Sequence, residues 1–63
     1  MGKKVTWQDI YKDFRARHPR LKREAIGYLP HDFLQIRITF KDGSIMVYDY
    51  MDHCGRWLMS GVT

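Results

Sequence analysis

A single cysteine, Cys54, is all the thiol this 63-residue chain carries, so no internal disulfide framework holds it together. Lone cysteines fit a reducing compartment. No apolar stretch approaches the roughly 20 residues that span a bilayer. The N-terminal MGKKVTWQD meets an acid before any apolar run forms, so no signal peptide is expected. The expected location is the cytoplasm, with no membrane partner. Repeats, linkers and low-complexity tracts are missing, which leaves one domain over residues 1–63, with residues 1–4 as a loose basic tail. Also missing are a P-loop and a Gly-rich phosphate cradle.

The short length sets a second bound. A chain of this size buries only about 60% of its unfolded surface, so its stability as a monomer is marginal. Hydrophobic residues still make up 44% of the chain, with two Trp, four Tyr and three Phe. That suffices for a core, and for a sticky face of the kind that makes a homodimer.

The hairpin segment Phe33–Tyr50, FLQIRITF-KDG-SIMVYDY, organises the rest. Two runs of β-branched and aromatic residues flank Asp42-Gly43, a strong hairpin signal. With a side-chain period of two, Leu34, Ile36, Ile38 and Phe40 face the core, and Phe33, Gln35, Arg37 and Thr39 face away. Register depends on the turn. A two-residue turn sets Phe40 opposite Ile45 and turns Asp49 inward. A three-residue turn over Lys41-Asp42-Gly43 sets Phe40 opposite Ser44 and sends Met46, Tyr48 and Tyr50 to the core. A buried, unpaired Asp costs several kcal/mol, which favours the longer turn.

An amphipathic helix precedes the hairpin. Thr6 and Asp9 form a near capping box, and Val5 with Ile10 a hydrophobic staple. Trp7, Ile10, Tyr11 and Phe14, with His18 one turn on, make one apolar stripe. Pro19 stops the helix near His18. Ala25–Leu29 reads as a short strand before a Pro30-His31-Asp32 turn, with a helical turn at Leu21–Ala25 as the alternative. Arg56–Met59 reads as a further strand or a cover for the core. The expected fold class is α+β: an N-terminal helix on an antiparallel meander of three strands, with two or four as alternatives.

The helix signature W-x-x-I-Y-x-x-F (Trp7, Ile10, Tyr11, Phe14), then His18, Pro19 and Leu21, then Pro30, Asp32 and Phe33, then the Asp42-Gly43 hairpin with Tyr48 and Tyr50, resembles very short proteins encoded by phages and prophages of Gram-positive bacteria. The resemblance covers most of the chain. It implies an accessory gene product that binds a host or defence component.

Charge is uneven. Residues 1–23 hold eight Lys or Arg against Asp9 and Asp13, a balance of +6; residues 24–63 hold three against five acids, a balance of −2. The run Arg15, Arg17, His18, Arg20, Lys22 and Arg23 could meet phosphates, or an acidic protein surface. On the outer sheet face, Phe33, Gln35, Arg37, Thr39, Ile45 and Val47 form a second candidate surface, an interface with a partner or a second copy. His18, His31, His53 and Cys54 match no zinc-ligand spacing, so no metal and no cofactor are expected. Adjacent His53 and Cys54 point apart, which argues against a nucleophile pair. Asp32, Asp49 and Asp52 lack a pocket large enough for acid–base work. The expectation is a non-enzymatic protein that binds another protein. A small DNA- or RNA-binding protein and a structural subunit of a phage particle are the alternatives.

Overall fold

A computed structural model describes residues 4–59; most of the basic tail expected at residues 1–4 lies outside the described residues. The helix α1 runs Trp7–Arg17, followed by a single helical turn α2, Pro19–Lys22. Four strands follow: β1 (Ala25–Asp32), β2 (Gln35–Phe40), β3 (Ile45–Asp49) and β4 (Cys54–Met59). They form one antiparallel sheet in the order β1-β2-β3-β4. This is the α+β meander in its four-stranded form, with both ambiguous segments present as strands.

The helix starts where its sequence says it should. The Asp9 N–H donates to the Thr6 side chain at 3.1 Å, and the Thr6 N–H donates to the Asp9 carboxylate at 3.0 Å, a complete capping box. It stops at Arg17 because Pro19 follows, and Pro19 then opens α2 as its first residue.

The helix buries Ile10 and Phe14 against Ile36, Ile38, Phe40, Met46 and Tyr48, all at most 4% exposed. Phe14 is the hub. Its ring meets Phe40 at 6.2 Å and Tyr48 at 5.5 Å, both edge-on, the arrangement that aromatic quadrupoles prefer. Tyr11 stacks on Tyr28 at 4.5 Å, which ties the helix to β1.

The central hairpin uses the three-residue turn. Gly43 N–H donates to the Phe40 carbonyl, Phe40 N–H donates to the Ser44 carbonyl, and Thr39 pairs with Ile45. Gly43 sits at φ 89°, a region where only glycine is free of strain. Asp42 fastens the turn by accepting from the Ser44 N–H at 2.9 Å.

Several expectations need correction. The strand expected from Phe33 begins at Gln35, and Phe33-Leu34 is itself the turn between β1 and β2. The expected Pro30-His31-Asp32 turn is strand instead, since Pro30 occupies an edge strand where a missing N–H costs little. Leu34 therefore takes a left-handed φ of 53°, and it is only half-buried against the core. Such a residue carries strain of about 1–2 kcal/mol, which packing of its side chain offsets. Trp7, expected in the core, lies 41% exposed at the helix start, where it lines a cleft with Phe33 and Leu34. Tyr11 and Tyr50 are partly buried and pack on the cluster from its margin.

Candidate functional site

The sheet has one covered face and one open one. Register places three rows across the face turned away from α1. One row is Leu29, Arg37, Val47 and Arg56; the next is Gly27, Thr39, Ile45 and Met59; the third is Asp32, Gln35, Asp49 and Cys54. No described element packs over them. Both edge strands carry a register shift at the same end of the sheet, which leaves Ile26 and Leu58 as extra residues. Leu29, Leu58 and Met59 are each more than half exposed, and so is Ile26 at 63%.

The residues expected on this face are placed unevenly. Gln35, Arg37, Thr39 and Ile45 lie on it, all half-buried. Val47 lies on it too but is only 2% exposed, against the expectation of an open residue. Arg37 and Arg56 stand directly across from it on the neighbouring strands. Long arginine stems lie down over apolar neighbours, so a valine between two of them loses its access to water. Phe33 leaves the face altogether, because it belongs to the β1–β2 turn, where it is 74% exposed. Leu29, Arg56 and Met59 join the surface without having been singled out from the sequence, with Ile26 and Leu58 exposed at the bulges beside it. Their signal was present as apolar stretches, but alternation assigns a face only once a segment is known to be a strand.

Charge patterns the face. Arg37 and Arg56 sit mid-sheet. Asp49 borders them and accepts from the Gln35 amide at 3.1 Å. That bond, helped by the Met51 and Asp52 N–H groups and by Arg56, holds the Asp49 carboxyl below its ordinary value. A hollow of about 270 Å³ lies here, lined by Gln35, Val47, Asp49, Asp52, Cys54, Gly55 and Arg56.

The basic elbow between α1 and β1 splits into two groups. Arg15, Arg20, Lys22 and Arg23 are exposed. Arg15 leans over the Tyr11 ring at 5.8 Å. Arg17 is exposed too but paired, at 3.2 Å from Asp13. His18 turns inward, its ring 5.4 Å from Phe14 and 5.9 Å from Tyr48, and its Nε2 is buried without a hydrogen-bond partner among the described residues. The elbow thus offers four exposed cations, Arg15 among them resting on Tyr11, rather than the six residues expected.

Asp13 gathers a network that the sequence did not disclose. Its Oδ2 accepts from the Tyr48 hydroxyl at 2.5 Å and lies 2.8 Å from His53 Nδ1, while Arg17 Nε donates at 3.2 Å. Partial burial pushes the Asp13 carboxyl up, but the bonds from Tyr48, His53 and Arg17 outweigh it and hold it below the ordinary value. Burial, then the Asp13 charge, drives the Tyr48 hydroxyl well above the usual tyrosine value. His53 adopts a left-handed φ of 52° to reach Asp13. The network bolts the middle of α1 to the β3–β4 turn. These partners are 35 and 40 residues apart in sequence, so no local pattern joins them.

Beside the helix start, Val5, Trp7, Ile10, Phe33 and Leu34 line an apolar cleft of about 360 Å³, with Lys4 and Thr6 completing its lining. Among the described residues, no group of three or more His, Cys, Asp or Glu is placed to hold a metal ion. Among them too, no helix is long and apolar enough to cross a membrane. No family model, no curated protein and no solved structure matches this chain.

Proposed function

We propose that this is a non-enzymatic binding protein that grips another protein with the open face of its sheet. The observation that supports it is the single-layer construction. α1 covers one face, while the other presents Leu29, Ile45 and Met59 around a pair of arginines. Apolar surface rimmed by charge is what a protein interface needs, and arginine is enriched at such sites. Arg37 and Arg56 suit a partner whose own apolar patch is edged by carboxylates. The reading places the chain in the cytoplasm, in keeping with its one cysteine. The resemblance to short phage-encoded proteins makes a host or defence component the kind of partner expected, and inhibition the expected consequence.

A second reading keeps nucleic acid as the partner, supported by Arg15, Arg20, Lys22 and Arg23 at the elbow. The sheet face argues against single-stranded RNA, because none of its three rows carries an aromatic side chain on which a base stacks.

Affinity capture from host extract separates the two readings. The protein-partner reading expects a stoichiometric complex that Leu29→Asp or Ile45→Asp abolishes and that tolerates moderate salt. Recovery of nucleic acid alone, lost on changing Arg20, Lys22 and Arg23 to Glu and falling steeply with salt, would overturn it.

A further inference from the structure

We propose that the outer edge of β4, unpaired among the described residues, pairs antiparallel with β4 of a second copy, Trp57 facing Trp57 across a two-fold axis. This concerns an edge of the sheet, not its face, and stands independently of the partner reading above.

The two edges of the sheet differ. β1 carries Pro30, which has no N–H to donate, and register shifts at Ala25/Gly27 and Pro30/Asp32. Proline and bulges are the devices by which edge strands avoid pairing with other chains. β4, CGRWLM, has no proline and no lysine; its one shift falls between Trp57 and Met59 and leaves Leu58 as the extra residue, while Cys54–Trp57 pairs regularly. Its last three residues are large, apolar and about half exposed: Trp57 at 53%, Leu58 at 53% and Met59 at 51%. A sheet edge with open backbone groups and such side chains is a template for another strand.

Self-matching selects a second copy as that strand. A two-fold axis perpendicular to the sheet brings together only residues that project from the same side. Centred on Arg56, it would set two guanidinium groups opposite each other, a destabilising like-charge pair. Centred on Trp57, it sets indole against indole and Arg56 against the bulged Leu58, and no charge meets its like; Gly55 and Met59 project from opposite sides and make no pair. The indole already lies 5.2 Å from Phe40, at the margin of the core that α1 leaves open. A second indole beside it would extend that aromatic cluster across the dimer. The sole charge on the strand, Arg56, is near enough to Asp49 of its own chain to help lower that carboxyl.

The contact is small. Three half-exposed side chains give on the order of 300 Å² per copy, less than half of a standard interface, so the dimer is weak and concentration-dependent. It would leave the open face of each copy on the same side of one eight-stranded sheet, doubling the surface available to a partner.

Sedimentation equilibrium of the full chain from about 10 µM to 1 mM tests it, the range where an interface this small dissociates. The expected result is a shift from the 7.6 kDa chain mass towards twice that value. Leu58→Lys should stay monomeric with an unchanged circular dichroism spectrum. Register is tested separately by oxidation in a Cys54→Ser background. Residues directly opposite have Cα atoms about 4.5–5.5 Å apart, within disulfide reach, so Trp57→Cys should cross-link readily and Arg56→Cys poorly. A monomer throughout the range, a dimer indifferent to Leu58→Lys, or equal cross-linking at both positions would each overturn the proposal. A dimer broken by Leu29→Asp instead would move the self-contact to the open face.

Discussion

Removing the Phe14 ring tests whether α1 holds this domain together. The side chain is 0% exposed and touches the rings of Tyr11, His18, Phe40 and Tyr48. Burying a phenylalanine contributes about 1.5–3 kcal/mol by transfer alone. Truncation to alanine adds a cavity cost, because Ile36, Ile38 and Tyr48 are held by the sheet and cannot all close in; the total is about 3–5 kcal/mol. A domain of this size has roughly 3–9 kcal/mol in hand. Phe14→Ala therefore stands at or near the unfolding limit at 25 °C. Phe14→Leu keeps most of the volume and should lose about 1–2 kcal/mol, which stays measurable. Urea denaturation followed by circular dichroism gives both values, with a common slope confirming that the same surface unfolds. A loss below about 1 kcal/mol for Phe14→Ala would mean that α1 is not what covers the sheet, and the account of the open face would fall with it.

Two further predictions concern the network and the turn. Asp13 has a depressed carboxyl value, so its contribution to stability is complete above the ordinary carboxylate value and is lost as pH falls below about 4. Tyr48 is displaced upward, so its contribution is complete below about pH 10 and is lost as pH rises beyond it. Thermal melts of Asp13→Asn across pH 2–8 should show a shallower acid limb and a neutral-pH loss of about 1–2 kcal/mol, discounted for the solvent-open side of the carboxylate; a wild-type acid limb would contradict the network. Gly43→Ala should cost about 1–2 kcal/mol in urea melts, because φ 89° is strained for any side chain. An unchanged midpoint would mean that the turn is of another type.

Gly55 shows how close packing enters where no turn requires it. A Cβ there would lie 2.5 Å from Met46 Sδ. Met46 therefore crosses the space over β4 that any other residue would fill, and the thioether is adaptable enough to do so. Nothing in the local sequence CGRW announces this, since the constraint comes from a strand neighbour.

Periodicity in the chain by itself determined the helix, its capping box, its stop before Pro19, and the inward set Ile36, Ile38 and Phe40. Those features depend on residues within a few positions of one another, and local sterics or hydrogen bonds decide them. The hairpin register was also legible, through the cost of turning Asp49 inward. Only the tertiary structure decided which undecided segments became edge strands. Short apolar runs such as AIGYL and RWLM fit a strand or a core cover equally well until a neighbour offers backbone partners. The same holds for the burial of Val47 between two arginines and for Asp13, Tyr48 and His53 on one carboxylate. Each needs groups brought together from distant parts of the chain, and that proximity exists only once the sheet has formed and α1 has closed over it.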